Sequence, residues 1–248
     1  DRGDAEGERV RRVVAGERGA REQHEGPVER RHQTIATLDE AHAGTLPEVV
    51  LARRQLLLSR GGMKALVMTA GEGPRGLSVK DAPSPTCGPD EIRVAVKASA
   101  LNRADLLQTM GLYPAPKGVP ADIPGLEYAG EVAEVGARVT RWKKGDRVMG
   151  LVAGGAWAEE LVTHEREAIA MPAACSFEHA AAIPEAFMTA WDALALQGGM
   201  TAGTQVLIHA VASGVGTAAL QLCALHGARA IGTGRNASKL ERIKNMGL

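Results

Sequence analysis

Ala212-Ser213-Gly214-Val215-Gly216 stands between an apolar run and a helix-forming run, and small residues in that position can do one kind of chemistry. Where a buried strand turns into a helix, glycines let the backbone approach a pyrophosphate, whose charge meets the unpaired N–H groups and positive dipole end of the helix. Ser213, Gly214, Val215 and Gly216 are the candidates for that cradle. The strict GxGxxG spelling is not present and glycines in such turns also serve packing alone, so the flanking strand and helix carry the dinucleotide reading together with the glycines. Further along comes Thr233-Gly234-Arg235-Asn236-Ala237-Ser238-Lys239. About 20 residues after the glycines a site for NAD has an Asp or Glu that accepts from the ribose 2′-hydroxyl. No acid stands in this segment; Arg235 and Lys239 are cations suited to a 2′-phosphate, next to Gly234 and the neutral donors Asn236 and Ser238. The expected cofactor is therefore NADPH rather than NADH. The alternative roles are structural, with Arg235 capping a loop and Lys239 on a solvated helix face.

The elements that must place these residues follow from the hydrophobic period. Gln205 to Ala210 reads as a buried strand, Val215 to His226 as a helix and Ala228 to Thr233 as a second strand, which makes one βαβ unit; Ser238 to Met246 opens a further helix. Upstream, a helical pattern begins at Pro184 and runs through Trp191 and Leu194, its proline where a first turn tolerates one. Before that, from Met63, short runs punctuated by Gly, Pro and Asp have strand character: Lys64 to Thr69, Glu91 to Ser99, Glu127 to Val135, Asp146 to Val152 and Trp157 to Thr163. Regular short strands argue for a small barrel-like β domain, with Pro114 to Pro124 as an irregular loop. The expected division is 1–62, 63–182 and 183–248: an extension, a β-rich domain and the first part of an α/β Rossmann domain whose remaining strands are expected beyond Leu248.

Residues 1–62 hold eleven arginines, no lysine, no methionine and no aromatic residue, whereas all eight lysines lie at or after Lys64. So little large apolar surface cannot offset chain entropy, and the expectation is disorder with a helix over Leu46 to Leu58. An arginine-rich organelle-targeting peptide is one reading, but eleven acidic residues oppose it; translated upstream sequence ahead of a native start at Met63 is the preferred one. The chain is 45% hydrophobic and 23% charged, an ordinary globular mixture with no run of membrane-span length. A formal net charge of zero leaves no field for a polyanion, so nucleic acid is not expected as a main partner. Cys87, Cys175 and Cys223 are scattered without a CxxC pair, which suits a reducing, cytoplasmic setting and supplies no closed zinc site.

Four segments occur in order: Ala100-Leu101-Asn102-Arg103-Ala104-Asp105; Gly125-Leu126-Glu127; Ala182-Ile183-Pro184-Glu185-Ala186 with Thr189-Ala190; and Ile208-His209 through Gly214-Val215-Gly216-Thr217-Ala218-Ala219. Together they resemble the zinc-independent quinone oxidoreductases of the medium-chain dehydrogenase/reductase superfamily, the zeta-crystallin-like group. The resemblance covers Met63 to Leu248 and implies a GroES-like β domain leading into a Rossmann domain, with the active site in the cleft between them. The superfamily's zinc enzymes hold their metal with two cysteines and a histidine, and the motifs put Asn102, Leu126 and Glu185 at those places. Leucine has no donor atom, so no catalytic metal is expected. By the same resemblance NADPH lies across the glycine turn and hydride passes directly to a quinone. Tyr113 matches a position near substrate and cofactor, Asn102 is a candidate donor to the acceptor oxygen and Thr189 a candidate contact on the nicotinamide side. A reductase of alkenal or enone double bonds has the same fold, and a non-catalytic NADPH-binding crystallin is the alternative from another class. The family's usual dimer surface implies a homo-oligomer. Asp105, Glu185 and His209 have structural alternatives as caps or satisfied polar residues, and Cys175 and Cys223 read as small hydrophobes.

Overall fold

Alternation of Ile92 and Val94, both fully buried, with half-exposed Arg93 and Ala95 makes Glu91–Ala98 a strand with one face on a core. The computed structural model describes residues 62–69 and 71–246, all of one compact unit. Of the extension expected over 1–62, only Gly62 is described, as the first residue of a strand, and the helix expected over Leu46 to Leu58 lies outside the described residues. The strands are β1 (Gly62–Met68), β2 (Leu77–Pro83), β3 (Glu91–Ala98), β4 (Glu127–Val135), β5 (Arg147–Leu151), β6 (Glu160–His164) and β7 (Ala168–Ala170). β3 to β7 form an antiparallel sheet in the order β6-β3-β4-β5-β7. Register shifts between Arg93 and Val94 and between Val96 and Ala98 break the β3–β4 ladder, and such bulges bend and twist a sheet. Its core holds Ile92, Val94, Tyr128, Val132, Val148 and Leu161.

β1 and β2 form a separate antiparallel ribbon. The Trp157 to Thr163 run, expected as one strand, is divided: β6 starts at Glu160, while the backbone just before it ties the ribbon to the sheet, with Leu66 N–H donating to Trp157 O at 2.8 Å and Glu159 N–H to Lys64 O at 2.9 Å. β2 was not anticipated from the sequence, and its physical reason is exposure. Its side chains are mostly solvated on both faces, so no alternation marks it.

Three short helices lie outside the sheet, and the second and third of them pack against its strands. α1 (Arg103–Thr109) follows β3, α2 (Phe177–Ala181) is capped by Ser176, whose Oγ accepts from His179 N–H at 3.2 Å, and α3 (Pro184–Trp191) opens on its proline and widens into a π-type turn at Asp192–Gln197. Next, β8 (Gln205–Ile208), α4 (Gly214–Leu225) and β9 (Arg229–Gly232) form a strand-helix-strand crossover, with β8 and β9 parallel and Gln205 opposite Arg229. α5 (Ala237–Ile243) ends in a single 3-10 turn over Lys244–Met246. Ala190 and Leu194 from the α3 side pack with Val206, Ile208, Leu220 and Cys223 in one core. Cys223 is fully buried with its Sγ 3.8 Å from Met200 Sδ, as expected of a cysteine acting as a hydrophobe. The whole is α/β: a β-rich part followed by the strand-helix-strand crossover. Among the described residues no helix is long and apolar enough to cross a membrane.

Candidate active site

The glycine turn joins β8 to α4, and its two glycines do different work. A Cβ on Gly214 would meet nothing within 4 Å, whereas one on Gly216 would lie 2.5 Å from Val211 O and 2.7 Å from Ala210 O. Gly216 thus permits close packing of helix on strand, and Gly214 leaves the head of the helix open to a ligand. Ser213 caps α4, its Oγ accepting from Gly216 N–H at 3.1 Å. Ala210 has φ of 52°, the one non-glycine in the left-handed region among the described residues, and its carbonyl accepts from Ser213 N–H at 2.9 Å. That strained residue turns the chain out of β8 into the cradle.

Across the ends of the two parallel strands His209 Nδ1 and Thr233 Oγ1 are 2.8 Å apart, which makes His209 the bonded structural residue expected of it. Beyond Thr233, Asn236 caps α5, its Oδ1 accepting from Lys239 N–H at 3.0 Å and from the Ser238 hydroxyl at 2.8 Å. Ser238 is thereby committed to the cap. Arg235 and Lys239 are exposed. Neither forms an ion pair with another described residue, so both charges face solvent beside the open turn. A Cβ on Gly234 would lie 2.9 Å from Leu240 Cδ2, so that glycine seats α5 rather than opening a path.

The second constellation gathers where α1, β4 and α3 meet. Asn102 precedes α1 in a capping box with Asp105, whose Oδ2 accepts from Asn102 N–H at 2.6 Å. Asn102 Nδ2 donates to Glu127 Oε1 at 2.7 Å, and Glu185 N–H, in the first turn of α3, donates to Glu127 Oε2 at 2.8 Å. Glu127 is only 2% exposed, so its carboxylate is held inside by these two donors. Gly125 makes this approach possible: at φ of 105° it accommodates Trp157, whose Cδ1 would lie 2.5 Å from an added Cβ and whose Nε1–H donates to Ala100 O at 3.3 Å.

Three carboxyls share the region, and all are pushed upward. Burial lifts Asp105 from 3.8 to about 6 against the pull of the Asn102 N–H, with the Glu127 charge adding to the rise. Burial likewise raises Glu127, opposed by the Glu185 and Asn102 donors, and raises Glu185 with help from the charges on Glu127 and Asp105. Asp105 Oδ1 makes no well-formed hydrogen bond to another described residue, although the Leu126 backbone N–H also pulls against the burial of this carboxyl.

Of the site residues expected from sequence, the structure joins Asn102 to the α3 start through the Glu127 carboxylate. Thr189 lies one turn beyond Glu185, on the same face of α3, and is exposed. Tyr113, 47% exposed, sits in the loop after α1 near exposed Leu101, Met110 and Leu112 in sequence. Glu127 was missed as a functional residue. The signal available was a lone acid inside an otherwise apolar run beginning a strand.

Residues 88–173 match the model of the alcohol dehydrogenase GroES-like domain. The synaptic vesicle membrane protein VAT-1 homolog of Rattus norvegicus is 39% identical over 189 residues, which is 75% of this chain and 46% of that protein. A quinone oxidoreductase structure from Pseudomonas syringae pv. Tomato DC3000 superposes with a TM-score of 0.68 at 35% identity, covering 75% of this chain and 57% of that one. In sequence and in fold the chain is thus similar to the medium-chain dehydrogenase/reductase superfamily. The CurK enoyl reductase structure is also similar, with a TM-score of 0.69 at 30% identity over 75% of this chain and 58% of that one. The chain spans about half the length of the VAT-1 homologs it matches.

Proposed function

We propose that the protein is an NADPH-dependent reductase that passes hydride to a quinone without a metal, with 63–182 carrying the catalytic residues and 183–248 beginning the cofactor domain. The observation that carries this is the open face at Gly214 on the head of α4, with Arg235 and Lys239 unpaired beyond β9 and no acid in that segment. The N–H groups of α4's first turn, with Ser213 and Val215, receive the pyrophosphate; Arg235 and Lys239 receive the 2′-phosphate. When bound, NADPH supplies the hydride. Asn102 offers an amide N–H toward the acceptor oxygen, Thr189 lines the α3 side, and Tyr113 with Leu101 and Leu112 presents apolar surface to a flat acceptor.

The zinc enzymes' donor set does not fit here. Leu126 has no ligating atom, the Asn102 amide nitrogen has no lone pair to give a metal, and among the described residues no group of three or more His, Cys, Asp or Glu could hold one. A quinone is already electron-poor, so its reduction needs no Lewis acid. The similarity to the CurK enoyl reductase favours a second reading, reduction of an enone double bond by the same hydride geometry. Turnover of a quinone and of an α,β-unsaturated aldehyde, each with NADPH and NADH, decides. Quinone turnover with NADPH in preference to NADH supports the proposal, turnover of the aldehyde alone selects the enone reading, and cofactor binding without turnover of either removes both.

A further inference from the structure

We infer that Glu127 is a positioning residue whose buried carboxylate decides which end of the Asn102 amide is available to the acceptor and fastens that amide to the first turn of α3. Both Glu127 oxygens receive N–H donors, from Asn102 at 2.7 Å and from Glu185 at 2.8 Å, and these bonds favour the ionised, acceptor-only carboxylate against the upward push of burial. An acceptor-only group forces the nitrogen of Asn102 toward it, because the amide oxygen would meet it lone pair to lone pair. One N–H of Asn102 is then consumed and the second is left as the donor. The backbone on both sides is held as well: Ser99 Oγ donates to Glu127 O at 2.6 Å, and Asn102 N–H donates to Asp105. The same carboxylate spans β4 and α3, so the donor and the helix bearing Thr189 move as one piece. The orientation stands on these bonds; the use of the donor rests on the hydride-transfer reading above.

Glutamine at 127 makes this testable, since its single oxygen can serve one of the two donors. If it serves Glu185, its NH2 faces Asn102 and the Asn102 amide must turn over; if it serves Asn102, the tie to α3 is lost. Adding Asn102→Asp restores a complete set of bonds with reversed polarity, because the new carboxylate accepts from the glutamine NH2 and the charge of the pair is unchanged. The experiment measures Tm, kcat and KM for NADPH in the wild type, Glu127→Gln and Asn102→Asp/Glu127→Gln. The expected result is that Glu127→Gln lowers kcat by about a hundredfold with KM for NADPH unchanged, and lowers Tm. The double variant then recovers Tm but not kcat. Recovery of kcat together with Tm would show a merely structural bond and overturn the inference, as would wild-type kcat in Glu127→Gln or failure of Tm to recover. If the wild type reduces neither quinone nor enal, the hydride-transfer reading fails by itself, and the Tm recovery alone judges the orientation.

Discussion

At the scale of single residues, the glycine turn separates recognition from packing. Gly216→Ala drives a Cβ to 2.5 Å from Val211 O, a backbone atom that cannot step aside. Such overpacking costs about 1–3 kcal/mol, and urea unfolding would read it. Gly214→Ala meets no atom. It is expected to change stability by no more than about 0.5 kcal/mol while weakening NADPH about tenfold, because a methyl stands where the pyrophosphate approaches. Equal loss of stability in both variants would contradict the division. Arg235 and Lys239 make the complementary case for charge. Replacing both by alanine should raise the NADPH dissociation constant about tenfold or more, with that of NADH unchanged. An equal loss for the two cofactors in parallel titrations would remove the 2′-phosphate assignment.

Elements show where local preference and tertiary demand diverge. The exit from β8 needs a left-handed residue, and the chain places Ala210 there, at φ of 52°. A side chain in that region costs about 1–2 kcal/mol, set against the greater unfolded-state entropy of glycine. Ala210→Gly is therefore expected to stabilise the protein by about 0.5–1 kcal/mol, seen as a higher urea midpoint; a lower midpoint would mean the methyl group contributes packing that outweighs the strain. The helices α2, α4 and α5 begin at Ser176, Ser213 and Asn236, and each cap bond is made. Caps are legible in a sequence because the bond is local. β2 was not, because a solvated ribbon strand has no buried face to impose a period.

For the molecule as a whole, α1, β4 and α3 converge on a cluster of carboxyls, and that convergence ties stability to pH. Asp105 is raised by burial from 3.8 to about 6, so the native state binds its proton more tightly than the unfolded chain. Its contribution to stability is fully present below about pH 4 and is lost as pH rises through about 6. Asp105→Asn keeps an oxygen for the Asn102 N–H and carries no charge. The Tm of the variant minus that of the wild type should grow from about pH 4 to about pH 7; a difference independent of pH would refute the account. Glu127 and Glu185 shift in the same direction, so a residual slope remains in the variant.

The sequence by itself determined what local bonds and periods can determine. The strand-helix-strand unit around Gly214 and Gly216, the proline-led helix at Pro184 and the lack of an acid after β9 each rest on residues close together in the chain. Only the tertiary structure decided the rest. Glu127 and Glu185 are 58 residues apart, and Asn102 is 25 from Glu127, yet one carboxylate joins all three. Whether an acid in a strand is a solvated charge or a buried strut depends on what the fold lays over it, and no local pattern records that. The same holds for the glycines, identical in type and two positions apart: one faces Val211 O and the other open space, a distinction made by how α4 seats on β8.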